Sequence, residues 1–213
     1  MSCAALQQWQ SLIEQPLDFV GRQPLAACFP DNPGSAQLDA LRKQSRFQAR
    51  LMRLLLSRHD LQAPGSLPLP DAVDLPVLLL PPKTFKRLPR LCGAILHSST
   101  LSREIRGDVV NQLRDLLGSD VFALALAHRA LGSSADLLRQ PTELLEAIDL
   151  DGARCIAAWL HAQPAPLRPW LRLRFAELQT EGEPVTPSSA VNAVAIVRSA
   201  ASNLQEFDEQ GAR

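Results

Sequence analysis

Tyrosine is absent from this 213-residue chain, and aromatic residues make up only 5% of it. Strands favour aromatic and β-branched residues, whereas long helices favour the Leu and Ala that dominate the apolar set here. The expectation is therefore an all-α fold. Net charge is also missing: 22 Lys and Arg balance 22 Asp and Glu. Whole-chain attraction to nucleic acid or an anionic membrane is not expected, and any electrostatic targeting must be local. Cysteine is sparse. Cys3, Cys28, Cys92 and Cys155 lie far apart, with no CxxC and no companion His pair. That spacing excludes a zinc framework and a dense disulfide scaffold, and fits free thiols in a reducing compartment. The opening MSCAALQQWQSLIEQ has neither the basic start nor the apolar centre of a signal peptide, and the nearest thing to a membrane span is PVLLLPP, far too short. A cytoplasmic protein is expected. No phosphate-binding glycine loop, dinucleotide fingerprint, HExxH or GxSxG occurs. Nothing argues for an enzyme, a cofactor or a metal.

What is plentiful is apolar content, 46%, and proline, with 17 residues. The first suffices for one domain with a real core, or two small ones. The second should punctuate the chain into rather short helices. The pattern predicts a compact multi-helix globular protein with Pro-rich connections, organised as residues 1–34 (a short helix and a Pro-rich segment), 35–179 (a helical core) and 180–213 (a linker and a C-terminal helix), one domain overall. Leu6, Trp9, Leu12 and Ile13 predict a helix over Ala4 to Glu14. Gln15 to Gly34 reads as loop, anchored by Phe19 and Phe29. Ser35 to His59 reads as one helix capped by Ser35, with a stripe of Leu38, Leu41, Phe47, Leu51, Leu54 and Leu55. Leu61 to Pro82 reads as a Pro-rich crossing segment, where a strand at Val77 to Leu80 would need a partner. Further helices are expected near 89–98, 105–117, 119–131, 142–162, 166–178 and 187–205. Gly118 and Gly132 are stop signals, Ser119-Asp120 and Ser134 to Asp136 are start signals. Pro166 and Pro169 fit a helical first turn. Thr180 to Ser189, TEGEPVTPSS, is the linker candidate.

Several stretches invite a chemical reading. Arg106-Gly107-Asp108 matches an adhesion tripeptide, but a helix break at Gly107 followed by an Asp108 cap explains it better. Cys92 and His97 are five apart, which sets them on different helix faces, and their Gly93-Ala94 neighbourhood argues for close helix packing. A core thiol and a capping histidine are expected, not a catalytic pair. Asp149 and Asp151 lack the other oxygen ligands of a calcium loop and read as surface charge. The basic stripe is more informative. Arg42, Arg46, Arg50 and Arg53 recur at spacings of four, four and three, and no acid intervenes between Arg42 and Arg58. Lys83, Lys86, Arg87 and Arg90 form a second basic cluster. An acidic face of the same chain (Glu143, Glu146 and Asp149), a protein partner or a nucleic acid could offset the repulsion along the stripe. Nucleic acid ranks behind protein, because net charge is zero and no interleaved aromatics or helix-turn-helix signature accompany the stripe.

The order LPLP, LPRLCGAILHSSTLSREIRGDVVNQLRDLLG and DVFALALAH resembles the SctK family of type III secretion accessory proteins. Leu88, Leu91, Gly93, Leu96, His97, Ile105 and Arg106 carry that resemblance. AAWLHAQPAPLRPWLRLRF, Ala157 to Phe175, is similar to the family's aromatic-Leu segment, Pro-rich spacer and Trp-containing basic helix. The resemblance covers residues 67 to 176. It implies a non-catalytic adaptor of the secretion sorting platform, cytoplasmic and held at the inner membrane through protein partners, linking the ring protein SctD to the pod protein SctQ. Partner contact is expected at Arg42, Arg46, Arg50 and Arg53, with neither nucleic acid bound nor direct membrane insertion. The alternative is a regulatory or nucleic-acid-binding module using the basic helix 42–58.

Overall fold

The computed structural model describes residues 3–31, 33–133, 140–176 and 187–211. The α-helices are α1 (Cys3–Glu14), α2 (Pro16–Phe19), α3 (Arg22–Ala26), α4 (Ser35–Lys43), α5 (Ser45–His59), α6 (Leu75–Leu78), α7 (Pro82–Phe85), α8 (Leu88–Leu96), α9 (Ser98–Arg103), α10 (Gly107–Leu117), α11 (Ser119–Ala127), α12 (Pro141–Ala162), α13 (Arg168–Arg174) and α14 (Pro187–Gly211). Single 3-10 turns occupy Pro64–Ser66, Ala72–Asp74 and Arg129–Leu131. No strand occurs among the described residues, so the fold is all-α, as composition predicts. No helix of the described residues is long and apolar enough to cross a membrane.

The chain divides into two compact units, Met1–Leu79 with Gln163–Leu178, and Leu80–Ala162 with Gln179–Arg213. Three anchors of α13 account for its place in the first unit. The Trp170 Nε1–H donates to the Gln62 carbonyl at 3.1 Å. The backbone N–H of Gly21 donates to Leu173 at 3.1 Å. Arg174 donates through Nη1 to the Phe19 carbonyl at 3.1 Å, with its guanidinium 4.4 Å above the Phe19 ring. Trp9 packs edge-on against that ring, with centroids 5.8 Å apart. Arg174 is buried, and burial pulls its pKa down to about 10. A carbonyl and a ring face are what offset part of that desolvation.

The second unit is built on α8, against which α11, α12 and α14 pack. Leu88, Cys92, Ala94 and Ile95 of α8 are fully buried, as are Ile148, Ile156 and Trp159 of α12 and Ile196, Val197 and Ala200 of α14. Each such large aliphatic side chain contributes roughly 1.5–3 kcal/mol. Two glycines set the α8–α12 distance. A Cβ on Gly93 would overlap the Ile148 carbonyl oxygen, and one on Gly152 would overlap the Pro89 carbonyl oxygen. The close packing expected around Gly93 is present. Gly152, which directly follows Asp151, is its counterpart across the contact.

Several local expectations change. The segment 15–34 holds α2 and α3 rather than loop alone, with Pro16 in the first turn of α2. The helix expected over 35–59 breaks at Gln44, whose φ and ψ are −89° and 110°. No Pro or Gly announces the break. The freed Arg42 carbonyl accepts instead from Gln48 Nε2 at 3.2 Å. Ser35 is the first helical residue, not the cap. Gly34 holds the cap position, and its N–H donates to Gln37 Oε1 at 3.2 Å. Val77 to Leu80 forms no strand, because no strand stands beside it and Val77 and Leu78 complete α6. Pro166 lies ahead of α13, and Pro169 takes the first-turn position. The helix expected over 105–117 begins at Gly107, so Asp108 sits in the first turn and supplies no side-chain cap. Gly118, with φ of 92°, ends α10 and opens α11 in a conformation that favours glycine. The Ser134 to Asp136 start signal and residues 180–186 of the expected linker lie outside the described residues; Pro187, Ser188 and Ser189 open α14.

Candidate functional site

Helix α5 turns Leu51 and Leu55 into the core of its unit. Arg46, Arg50 and Arg53, at spacings of four and three, fall together on the opposite, solvent-exposed side. Among the described residues none of the three takes part in an ion pair. Arg46 leans back over the Phe47 ring, 4.6 Å from its centroid, and its Nε–H donates to Gln44 Oε1 at 3.1 Å. Arg42 does not join them. It belongs to α4, is half-buried, and donates through Nη2 to the Val20 carbonyl. Burial pulls its pKa below the usual guanidinium range. The break at Gln44 thus reduces the expected stripe of four to an exposed triad. A cleft of about 380 Å³ in the same unit is lined by Glu14, Leu17, Asp18, Lys43, Ala49 and Met52, among others. Its mixed charges and open shape suit a surface contact better than chemistry on a sequestered small molecule.

In the second unit both arginines of the basic cluster are paired. Arg87 pairs with Asp120. Arg90 grips Asp149 through Nε at 3.0 Å and Nη2 at 2.7 Å. His97, 4% exposed, lies with Nε2 2.8 Å from Asp151 Oδ2, and Arg154 reaches Asp151 Oδ1 at 2.8 Å. The His97 hydrogen bond, followed by that from Arg154, holds the Asp151 carboxyl below its ordinary range. Asp149 and Asp151 are therefore structural acids that anchor α12 to α8 and its end, not loose surface charge. Asp149 is engaged by Arg90 and is not free to offset the α5 arginines.

Among the described thiols none is an activated nucleophile. Cys28, Cys92 and Cys155 are free. Burial pushes Cys92 well up and Cys155 up to about 12, so neither is a thiolate near neutrality. His97 is bound by Asp151 rather than by Cys92. The structure brings together one pair that spacing could not show: Cys28 Sγ and His59 Nε2, 4.0 Å apart. Both lie 3.4 Å from the Pro24 carbonyl oxygen, and burial raises the Cys28 thiol. A thiol and an imidazole that share one carbonyl form a packing contact. Among the described residues no three His, Cys, Asp or Glu side chains gather so as to hold a metal ion.

The Arg-Gly-Asp stretch is a clipped corner between α9 and α10. Glu104 accepts from the Arg106 backbone N–H at 2.9 Å and from Nε and Nη2 at 3.0 and 2.7 Å. Those bonds pull the Glu104 carboxyl down to about 2. The tripeptide's arginine is thus spent within the turn.

No family model matches the chain. It is 30% identical over 151 residues to the nodulation protein NolU of Rhizobium fredii, an alignment covering 71% of this chain and 68% of that protein. The chain belongs to the NolU family. A second relative, the nodulation protein NolU of Sinorhizobium fredii (strain NBRC 101917 / NGR234), is 29% identical over 180 residues, covering 80% of this chain and 81% of that one. No solved structure matches. On this NolU-family chain the exposed arginine triad of α5 is the best-defined candidate contact surface.

Proposed function

We propose that this protein is a non-enzymatic cytoplasmic adaptor of a bacterial type III secretion sorting platform, of the SctK type. It joins the cytoplasmic domain of the ring protein SctD to the pod protein SctQ, and is held at the inner membrane through those partners. Kinship with the nodulation protein NolU supports a role related to type III secretion, and the resemblance across residues 67 to 176 supports the SctK assignment. The observation that carries the contact is the face of Arg46, Arg50 and Arg53, exposed and without an ion pair among the described residues. In this reading the face meets an acidic surface of one partner, gaining mainly specificity and association rate.

Size-exclusion chromatography with light scattering, on the protein alone and with each candidate partner, tests the reading. A discrete complex with either partner is expected. Charge reversal at Arg46 and Arg50 together should weaken one complex while leaving the fold intact. No complex with either, at low and moderate salt, would overturn it. The same triad favours one second reading, a phosphate-backbone contact, which steeply salt-dependent binding to DNA or RNA would support.

A further inference from the structure

The Pro-rich stretch Leu67 to Asp71, LPLPD, is the second feature of the first unit shaped for a partner. Both of its end residues have polyproline II dihedrals. Leu67 has φ and ψ of −71° and 137°, and Asp71 has −62° and 141°, against about −75° and 145° for the ideal helix. The sequence imposes this. Pro68 and Pro70 fix their own φ, and each drives the leucine before it away from the α region.

A polyproline II helix repeats every three residues, and the burial follows that repeat. Leu67 is half-buried and Pro70 buried, so one edge is seated on the unit's own core. Leu67 lines a small apolar crevice there with Trp9, Leu12 and Trp170. The other two edges face out: Pro68 is exposed, and Leu69 is 62% exposed. Among the described residues no hydrogen bond reaches the carbonyls of Leu67, Pro68 or Leu69. The ridge ends in the exposed Asp71, whose carboxylate accepts only from the Ala72 N–H at 3.1 Å and has no ion-pair partner among the described residues.

We infer that Leu67–Asp71 is a preformed docking ridge for a protein partner. The receiving surface is an aromatic-lined groove with a lysine or arginine at the Asp71 end. Aromatic grooves accept the Pro-Leu ridge of a polyproline II segment, their ring N–H and O–H groups donate to its free carbonyls, and the segment is already ordered. The cation follows from charge complementarity with Asp71. This inference rests on the adaptor reading, since it concerns the same partners.

The test is isothermal titration of the full chain with SctQ and with the SctD cytoplasmic domain. Wild type is compared with Leu69→Ser, Pro68→Gly and Asp71→Lys, and circular-dichroism melts are taken for each. All three sites are exposed, so melting temperatures should hold. Leu69→Ser should weaken one of the two complexes about tenfold, and Asp71→Lys several-fold. Pro68→Gly, which frees the backbone without removing the anchor, should weaken it less than Leu69→Ser. If wild type binds and all three variants bind within about twofold of it, the ridge is overturned while the adaptor reading stands. If wild type binds neither protein, both fall together.

Discussion

Two basic clusters that look alike in the sequence meet opposite fates. In the second unit, Arg87 and Arg90 of the α7–α8 region are each held by a carboxylate from another helix. In the first, Arg46, Arg50 and Arg53 of α5 have no such partner among the described residues. The two regions also differ in cohesion. The α8–α12 contact sets glycine against carbonyl on both sides, with the Arg90–Asp149 and His97–Asp151 pairs beside it. Helix α13 is fastened to the N-terminal segment of its own unit by polar contacts and one buried arginine. A cation count therefore says little about function until the acids of neighbouring elements are placed. The arginines left unpaired are the informative ones.

The sharpest way to break this contrast is to wedge the glycine contact. Gly93→Val should push α12 away from α8 and destabilise the protein by about 3 kcal/mol. Chemical denaturation should read this as a lowered midpoint, and Gly152→Val should behave alike, since each side chain would meet a backbone carbonyl that cannot step aside. In the first unit, Arg174→Ala removes a charged hydrogen bond and a cation–π contact, and should cost about 2 kcal/mol. Arg174→Met should cost less, because it retains the packing and abolishes a buried charge. Equal losses for the two substitutions would show that the guanidinium contacts, which both remove, count there and the packing of the stem does not.

The Asp151 site gives a pH dependence with a definite sign. Its carboxyl titrates below the ordinary value of 3.8 in the folded protein. Its contribution is therefore complete above about pH 3.8 and disappears as pH falls through the depressed folded value. Asp151→Asn should lower stability at neutral pH and flatten the loss below about pH 4, read by melts across pH 2 to 7. The smallest expected effect sharpens the opening comparison directly. Arg90→Ala, which breaks a half-exposed bidentate pair, should cost about 0.5–1 kcal/mol. Arg50→Ala should be neutral or stabilising by a few tenths, since it relieves repulsion along α5. A clear loss at Arg50 would mean that the triad has an intramolecular partner after all.

Much of the helix inventory was legible. Leu6, Trp9 and Leu12 announced α1, and the Leu-rich periodicity announced α8 and α12, because burying one apolar stripe leaves a 3.6-residue signature. The stop at Gly118 was legible because a positive φ favours glycine. The break at Gln44 was not. It lacks Pro and Gly, and it is accompanied by contacts from elsewhere, among them the Arg42 bond to Val20. That one break removes Arg42 from the candidate site while leaving Arg46, Arg50 and Arg53. Nor could spacing reveal Cys28 beside His59, or Asp151 beside His97, since these pairs are 31 and 54 residues apart.

What the chain alone determined is its class and its local geometry. Leu and Ala in place of β-branched and aromatic residues make helices, prolines cut them short, and LPLP is extended because each proline restricts itself and its neighbour. These are effects within a few residues, where sterics act without regard to the rest of the molecule. What tertiary structure decided is which polar groups are left over. Asp149 and Asp151 became anchors of α12, and three arginines of α5 were left facing water. Pairing depends on which helices meet, and that is settled by the burial of side chains far apart in sequence.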